Sequence, residues 1–211
     1  MKRIVFLLTI FFALAGVINA QQVRISPFEG RWVWDGRGED EPDFIELVFF
    51  GNIMLGTDDK DDPAYEGASF TYTNRTINIR NGYDEWEYSL SGNTLTITDE
   101  YDDRYTYNKA AMGKSTLEGI WKVTEGSAGF TPKDEFYFVF TGDLMAAGED
   151  GDYDGYKVEF RGSKIYPSQI YLKKDLSEND LSRMAIGYKI SGKSLTLTDP
   201  DGDEIKLTKV Y

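Results

Sequence analysis

Three sequence blocks occur twice along this chain, in the same order. The first block reads hydrophobe-Glu-Gly-x-Trp, the second Val-Phe-x-Gly-x-x-Met, and the third Tyr-x-x-Ser-Gly-x-x-Leu-Thr-x-Thr-Asp. The matched positions are 28–32 with 117–121, 48–54 with 139–145, and 88–99 with 188–199. Three blocks in one order are hard to obtain by chance, and such repeats indicate duplicated structural units. The sequence therefore predicts two similar units, residues 28–110 and 117–211.

Within each unit, apolar and polar residues alternate with the period of two that is typical of β-strands. The alternation is clear at Trp86, Tyr88 and Leu90 in the first unit, and at Tyr188 and Ile190 in the second. Ser-Gly pairs inside the third block separate two alternating runs and predict tight hairpin turns. Hairpins join antiparallel strands, so about seven or eight short antiparallel strands are expected in each unit.

A sheet of eight antiparallel strands has two unpaired edges unless it closes on itself. Closure as an up-and-down barrel removes both edges. The sequence therefore predicts an all-β fold of two tandem small antiparallel up-and-down β-barrels. A single large sheet or barrel is the alternative, because the units are alike, but each unit begins and ends with its own strand motif, which favours separate barrels.

The N-terminus has the pattern of a secretory signal peptide. Two basic residues precede an apolar run at 4–17, and Ala20 provides a small residue at the cleavage point. The run is too short to cross roughly 30 Å of hydrocarbon comfortably. We therefore expect removal of residues 1–20, with an Ala-x-Ala site at 13–15 as the alternative, and export to a periplasm or out of the cell.

Composition excludes several classes of function. The net charge is −13, from 36 acidic and 23 basic residues, which disfavours nucleic acid and anionic lipid surfaces as partners. The chain has neither cysteine nor histidine, so a cysteine nucleophile, a Ser-His-Asp triad and a His or Cys zinc site are excluded. Carboxylates alone can hydrolyse glycosides, but no spacing singles out a pair, so we predict no catalytic residues.

The Gly-x-Trp opening strand and the Tyr-x-x-Ser-Gly-x-x-Leu-Thr block resemble bacterial lipocalin-like domains, a group of small exported β-barrels. The resemblance covers both units and thus most of the chain. It implies that Gly30, Trp32, Gly119 and Trp121 close the base of each barrel. It implies a fold more than a function, because most members have no assigned biochemical activity.

Small barrels can hold one ligand in the mouth, and aromatic side chains at strand positions are the candidates to line it. These candidates are Trp34, Phe49, Tyr72, Trp86, Tyr88, Phe140, Tyr156 and Tyr188. We expect a monomeric, non-catalytic binding protein for a small, partly apolar molecule, with no membrane span in the mature chain. In the alternative, the aromatic residues fill solid barrels, and the chain binds another envelope protein through its acidic loops or its two-barrel face.

One acidic segment resembles part of a calcium-binding loop. Asp150, Asp152 and Asp154 alternate before Gly155, as carboxylates do around a hard cation. The bidentate Glu of an EF-hand is missing, because Arg161 stands at its position. We therefore predict either a looser Ca2+ site, which is the only cofactor considered, or solvated turns. A second alternating run, at 199–203, has the Asp-Gly of an ordinary hairpin turn.

Overall fold

The computed structural model describes residues 26–37, 41–59, 64–79, 84–126, 135–149, 151–168 and 183–211. The predicted signal peptide and Asp150 lie outside the described residues, so cleavage and export stay predictions. The elements with defined bounds are sixteen strands, all joined to their neighbours by antiparallel pairing. The prediction of an all-β, antiparallel barrel fold is confirmed. No helix within the described part of the chain has the length and apolarity to cross a membrane.

The first eight strands form a closed antiparallel barrel, here called the N-terminal barrel. Each strand pairs with the next, β4 pairs with β5, and β8 returns to β1. Its strands are β1 (Gly30–Trp34), β2 (Glu46–Phe50), β3 (Ile53–Thr57), β4 (Ala64–Tyr72), β5 (Thr76–Ile79), β6 (Asp84–Ser91), β7 (Thr94–Thr98) and β8 (Arg104–Ala110).

The other eight strands pair in the same cyclic order, and are called the C-terminal barrel. β11 pairs with β12, β13 with β14, and β16 returns to β9, with a register shift at Lys206/Leu207. Its strands are β9 (Gly119–Glu125), β10 (Tyr137–Thr141), β11 (Leu144–Glu149), β12 (Asp152–Arg161), β13 (Lys164–Pro167), β14 (Ile186–Ser191), β15 (Ser194–Thr198) and β16 (Glu204–Lys209).

The opening tryptophan of each unit is fully buried and anchored by its indole N–H. Trp32 donates to the carbonyl oxygen of Phe28 at 2.6 Å, and Trp121 donates to that of Leu117 at 2.7 Å. A buried indole needs such an acceptor, because an unpaired N–H away from water is costly. Gly30 and Gly119 precede them with φ of 119° and 145°, a backbone conformation that favours glycine.

The glutamate of the first repeated block explains why the first two blocks occur together. Glu29 accepts a hydrogen bond from the backbone N–H of Gly51 at 3.2 Å, and Glu118 accepts one from Gly142 at 3.1 Å. Gly51 and Gly142 belong to the second block, in the turns that join β2 to β3 and β10 to β11. Each glutamate therefore ties the strand that opens its barrel to the first hairpin.

The two barrels are not separate, in contrast to the favoured prediction. The first half of β4 pairs with the first half of β12, from Ala64 opposite Tyr156 to Ala68 opposite Asp152. The second halves of the same strands close the barrels against β5 and β13. Both barrels thus belong to one sixteen-stranded sheet. The β4–β12 pairing is called the seam below.

The seam has pseudo-two-fold symmetry. Glu66 lies opposite Asp154 at its centre, and Tyr65 and Gly67 of β4 lie opposite glycine and tyrosine of β12. Behind the seam, the outer faces of β2–β4 pack on those of β9–β12 and form a third apolar core between the barrels. Its buried members are Val48, Phe50, Ile53, Leu55, Tyr65, Ile120, Val139, Leu144, Ala146 and Tyr153.

Candidate binding site

Three of the predicted pocket aromatics close the base of the N-terminal barrel instead of lining a pocket. The ring of Phe28 lies 5.3 Å from that of Phe49, 5.6 Å from that of Tyr72 and 4.7 Å from that of Tyr88. Tyr88 also donates its hydroxyl hydrogen to the carbonyl oxygen of Thr73 at 2.9 Å. This end of the barrel is therefore filled by packed rings.

Three further candidates also pack into barrel cores. Phe140 is fully buried, with its ring stacked 6.4 Å from that of Phe138. Tyr188 packs on the core of the C-terminal barrel and donates its hydroxyl hydrogen to the carbonyl oxygen of Gly162 at 2.8 Å. Trp34 packs against the core of the N-terminal barrel. Of the eight candidates, Trp86 and Tyr156 line the cavities described next.

The N-terminal barrel has a cavity of about 210 Å³ at the end where β1 leads to β2 and β7 leads to β8. Its apolar wall includes Met54, Ala68, Ile79 and the predicted Trp86. We call it the first cavity. The remaining lining residues are Asp43, Phe44, Glu66, Gly67, Asp84, Glu85, Asp99, Glu100 and Tyr101.

The rim of the first cavity is strongly acidic. Six of its lining residues are carboxylates, and none of the described lining residues is lysine or arginine. Asp99 has a structural role as well, because one of its oxygens accepts the backbone N–H groups of Tyr101 at 2.9 Å and Asp103 at 3.0 Å. Tyr101 is 77% exposed, and its hydrogen bond to Glu100 together with nearby carboxylates raises its pKa above the usual value. Clustered charge of one sign around a cleft attracts counter-ions, so this mouth favours cations.

The C-terminal barrel has a smaller cavity of about 150 Å³ in the equivalent position. By strand register, Met145 corresponds to Met54, Tyr156 to Ala68, Pro167 to Ile79 and Ile186 to Trp86. We call it the second cavity. Val158, Ile165 and Met184 complete a lining that is almost wholly apolar.

An open groove of about 800 Å³ lies between the two cavities, on the face of the seam toward the barrel interiors. It shares Glu66 and Gly67 with the first cavity and Tyr156 with the second. Glu149, Asp152 and Asp154 add three carboxylates to its lining, beside Phe136, Ala147, Gly148 and Tyr153. The groove therefore adjoins the first cavity at Glu66 and Gly67 and the second cavity at Tyr156.

The segment that resembles a calcium loop is mostly strand. Asp152 and Asp154 lie in β12, where Asp154 faces Glu66 across the seam, and Asp150 is outside the described residues. Within the described ranges, no group of three or more Asp, Glu, His or Cys side chains is placed to hold a metal ion. In the other acidic run, Asp199 accepts the backbone N–H groups of Asp201 and Asp203, both at 2.9 Å, as a turn requires. Calcium binding therefore stays a prediction.

The rim carboxylates were not predicted as site residues, although a sequence signal was present. Alternate connections between strands meet at one end of an up-and-down barrel. Five of the rim carboxylates lie in or next to such connections: Asp43, Asp84, Glu85, Asp99 and Glu100.

Comparison with known proteins does not identify the chain. No protein-family model matches it, and no curated protein is similar to it in sequence. The resemblance to lipocalin-like domains therefore rests on the repeated motifs alone and stays a prediction.

Proposed function

We propose that this chain is an exported, non-catalytic binding protein made of two lipocalin-like barrels, and that its ligand carries both an apolar and a cationic group. The observation that carries the proposal is the first cavity, in which an apolar wall is surrounded by carboxylates. The apolar group enters between Met54 and Trp86, and the cation stays at the rim beside Asp84 and Glu85. Burial of each CH₂ contributes about 0.8 kcal/mol, and the rim supplies attraction and a faster association rate.

The size of the cavity limits what it takes in. Pockets that enclose a drug-sized molecule usually measure about 300–1,000 Å³. The first cavity, at about 210 Å³, is smaller and fits one apolar group of a ligand whose remainder lies outside. The ligand is therefore an amphiphilic cation of which only one end is buried.

Titration with three amphiphiles of equal tail length tests the proposal. We expect octyltrimethylammonium, below its micellar concentration, to bind the mature protein saturably and to change the fluorescence of Trp86. Octyl glucoside should bind more weakly, and octyl sulfate weakest, because the rim repels it. Added salt should weaken cation binding, since exposed charges are screened within about 8–10 Å at 0.1–0.15 M salt. Equal binding of all three would overturn the proposal.

Ala68→Tyr provides a matched pair of variants. It narrows the first cavity with the residue that the C-terminal barrel has at the equivalent position, Tyr156, beside which the cavity is smaller. We expect it to weaken octyltrimethylammonium binding. The control, Ser89→Tyr, adds the same side chain on the exposed outer face of β6 and should leave binding unchanged. Unchanged affinity in Ala68→Tyr would place the ligand elsewhere.

A protein-interaction module with solid barrels is the second candidate, favoured by the packed base and cores. In this case the acidic surface contacts another envelope protein, with or without calcium. Native mass spectrometry of the mature protein from its host distinguishes the two. A retained small cation supports the binding protein, whereas a bare mass with a co-purified protein supports the interaction module.

A further inference from the structure

The seam sets the distance between the two cavities. Ala68 lines the first cavity and Tyr156 the second, and both face the same side of the sheet. Tyr156 lies opposite Ala64, four residues from Ala68, so the cavities are about 14 Å apart at roughly 3.4 Å per residue. A ligand that reaches both must therefore be extended.

The midpoint between the cavities is acidic. Glu66 and Asp154 lie opposite each other at the centre of the seam, and both belong to the groove lining. Asp152 lies opposite Ala68, at the end of the seam next to the first cavity, and Glu149 pairs with Asp152, so the groove has further carboxylates at that end. The surface thus presents an apolar cavity, a pair of carboxylates, and another apolar cavity in a straight line.

An extended peptide repeats this pattern. Side chains i, i+2 and i+4 of a strand face one side, and i and i+4 are about 14 Å apart. An apolar side chain at i, a basic one at i+2 and an apolar one at i+4 therefore match the first cavity, the carboxylate pair and the second cavity. From this match we infer that the natural ligand is an extended segment of a basic peptide with the pattern apolar-x-Lys/Arg-x-apolar. The inference rests on the proposed function and specifies its ligand.

Peptide binding to the mature protein tests the inference. The probe is the capped, fluorescently labelled peptide Leu-Ser-Lys-Ser-Leu. One control, Leu-Lys-Leu-Ser-Ser, has the same composition and the wrong spacing, and another, Leu-Ser-Glu-Ser-Leu, has the wrong charge. We expect fluorescence anisotropy to give a Kd about tenfold or more lower for the probe than for either control, because each control loses one buried apolar group or the central charge pair. Equal affinities would overturn the inference.

Variants at each end of the groove separate this inference from the proposed function. Val158→Phe fills the second cavity with the residue found at the equivalent position of the N-terminal barrel, Phe70. It should raise the Kd for the probe about tenfold and should leave octyltrimethylammonium binding unchanged. If the packed core does not accept this change, Met184→Ser removes an apolar side chain that is already 43% exposed and should weaken the probe several-fold.

The paired variant Glu66→Gln/Asp154→Asn should also weaken binding of the probe. Glu87→Gln/Glu204→Gln, which removes two carboxylates at exposed positions of β6 and β16, serves as its charge-matched control. If the unmodified protein does not bind the alkylammonium ion, the proposed function is refuted. If alkylammonium binding is retained but Val158→Phe and Met184→Ser leave the affinity for the probe peptide unchanged, only the two-cavity inference is refuted.

Discussion

The two barrels share their strand order, opening motif and first turn, yet they differ where a ligand would enter. At the mouth of the N-terminal barrel, Asp84 and Glu85 precede Trp86, whereas the C-terminal barrel has Met184 and Ala185 before Ile186. Trp86 and Ile186 hold the same register position, but Asp84 and Glu85 pair with β5, whereas the pairing of β14 with β13 begins at Ile186. Strand register therefore fixes the scaffold, while residues at the ends of strands set the polarity of each mouth.

The same contrast occurs on the outer faces that meet between the barrels. Arg31 forms ion pairs with Glu46 at 3.0 Å and with Asp143 at 2.5 Å, and Tyr65 donates to Glu46 at 2.5 Å. The side chain of Arg31 is only 14% exposed. Burial and the bond to Glu46 raise the pKa of Tyr65, so its hydroxyl stays protonated.

The pseudo-symmetric position is apolar. Ile120 stands where the other side has Arg31, and Tyr137 stands where it has Glu46. Burial raises the pKa of Tyr153, the counterpart of Tyr65, to about 12. One interface thus holds a charged network and an apolar cluster in equivalent places. Since Asp143 lies in a turn of the C-terminal barrel, the charged network also joins the two barrels.

The largest expected effect comes from converting the charged side into the apolar one. Arg31→Ile removes the ion pairs to Glu46 and Asp143, while Glu46 keeps the hydrogen bond from Tyr65. It should lower the free energy of unfolding by about 2–3 kcal/mol, less than the loss of a fully buried pair. The double variant Arg31→Ile/Glu46→Tyr copies the other side and should recover most of this loss. Urea unfolding of the three proteins measures both changes. A double variant no better than the single one would show that the two sides are not interchangeable.

The glycines of the seam test the symmetry more closely. A Cβ at Gly67 would lie 2.9 Å from the carbonyl oxygen of Met54 and would also collide with Leu55, whereas a Cβ at Gly155 would lie 3.2 Å from the Cβ of Tyr65 and 3.3 Å from that of Ala146. We expect Gly67→Ala to cost about 2 kcal/mol and Gly155→Ala less than about 1 kcal/mol. Thermal unfolding of both variants is the measurement, and equal costs would contradict the asymmetry.

The smallest effect concerns the two glutamates of the opening motif. Glu118 accepts bonds with both oxygens, from Thr141 at 2.9 Å and from Gly142, so Glu118→Gln should cost about 1 kcal/mol. Glu29→Gln should cost less, because the second partner of Glu29 is the hydroxyl of Tyr211, which can also accept. Chemical unfolding at neutral pH compares the two, and an equal loss would contradict this difference.

The contribution of Glu29 to stability also depends on pH. Burial raises its pKa above 4.5, although the Gly51 hydrogen bond opposes the shift. A raised folded pKa means that its contribution to stability is complete below the unfolded pKa and is lost as pH rises through the folded pKa. As pH rises from acid to neutral, the free energy of unfolding should therefore fall less in Glu29→Gln than in the unmodified protein. Melting temperatures across that interval check this, and parallel curves would contradict it.

Sequence periodicity and the repeated blocks were sufficient to predict the antiparallel barrel, because hairpin turns and alternation act locally. The pocket was harder, since aromatic residues on the inner faces of strands have the same pattern whether they fill a core, as Phe49 does, or line a cavity, as Trp86 does. The seam was missed. Its signal is a further repeated element, Tyr65-Glu66-Gly67 and Tyr153-Asp154-Gly155, in which each glycine admits the tyrosine of the other strand.

The seam has the geometry of an isologous contact, the kind that two identical subunits form in a homodimer. In a homodimer one substitution changes both symmetric contacts at once. Here the two contacts, Tyr65 with Gly155 and Gly67 with Tyr153, are encoded separately, so each can change alone. The covalent connection also keeps the second half near, at an effective concentration on the order of millimolar for a short linker. Such a chain can specialise one side of a symmetric interface without dissociating, which separate subunits encoded by a single gene cannot do.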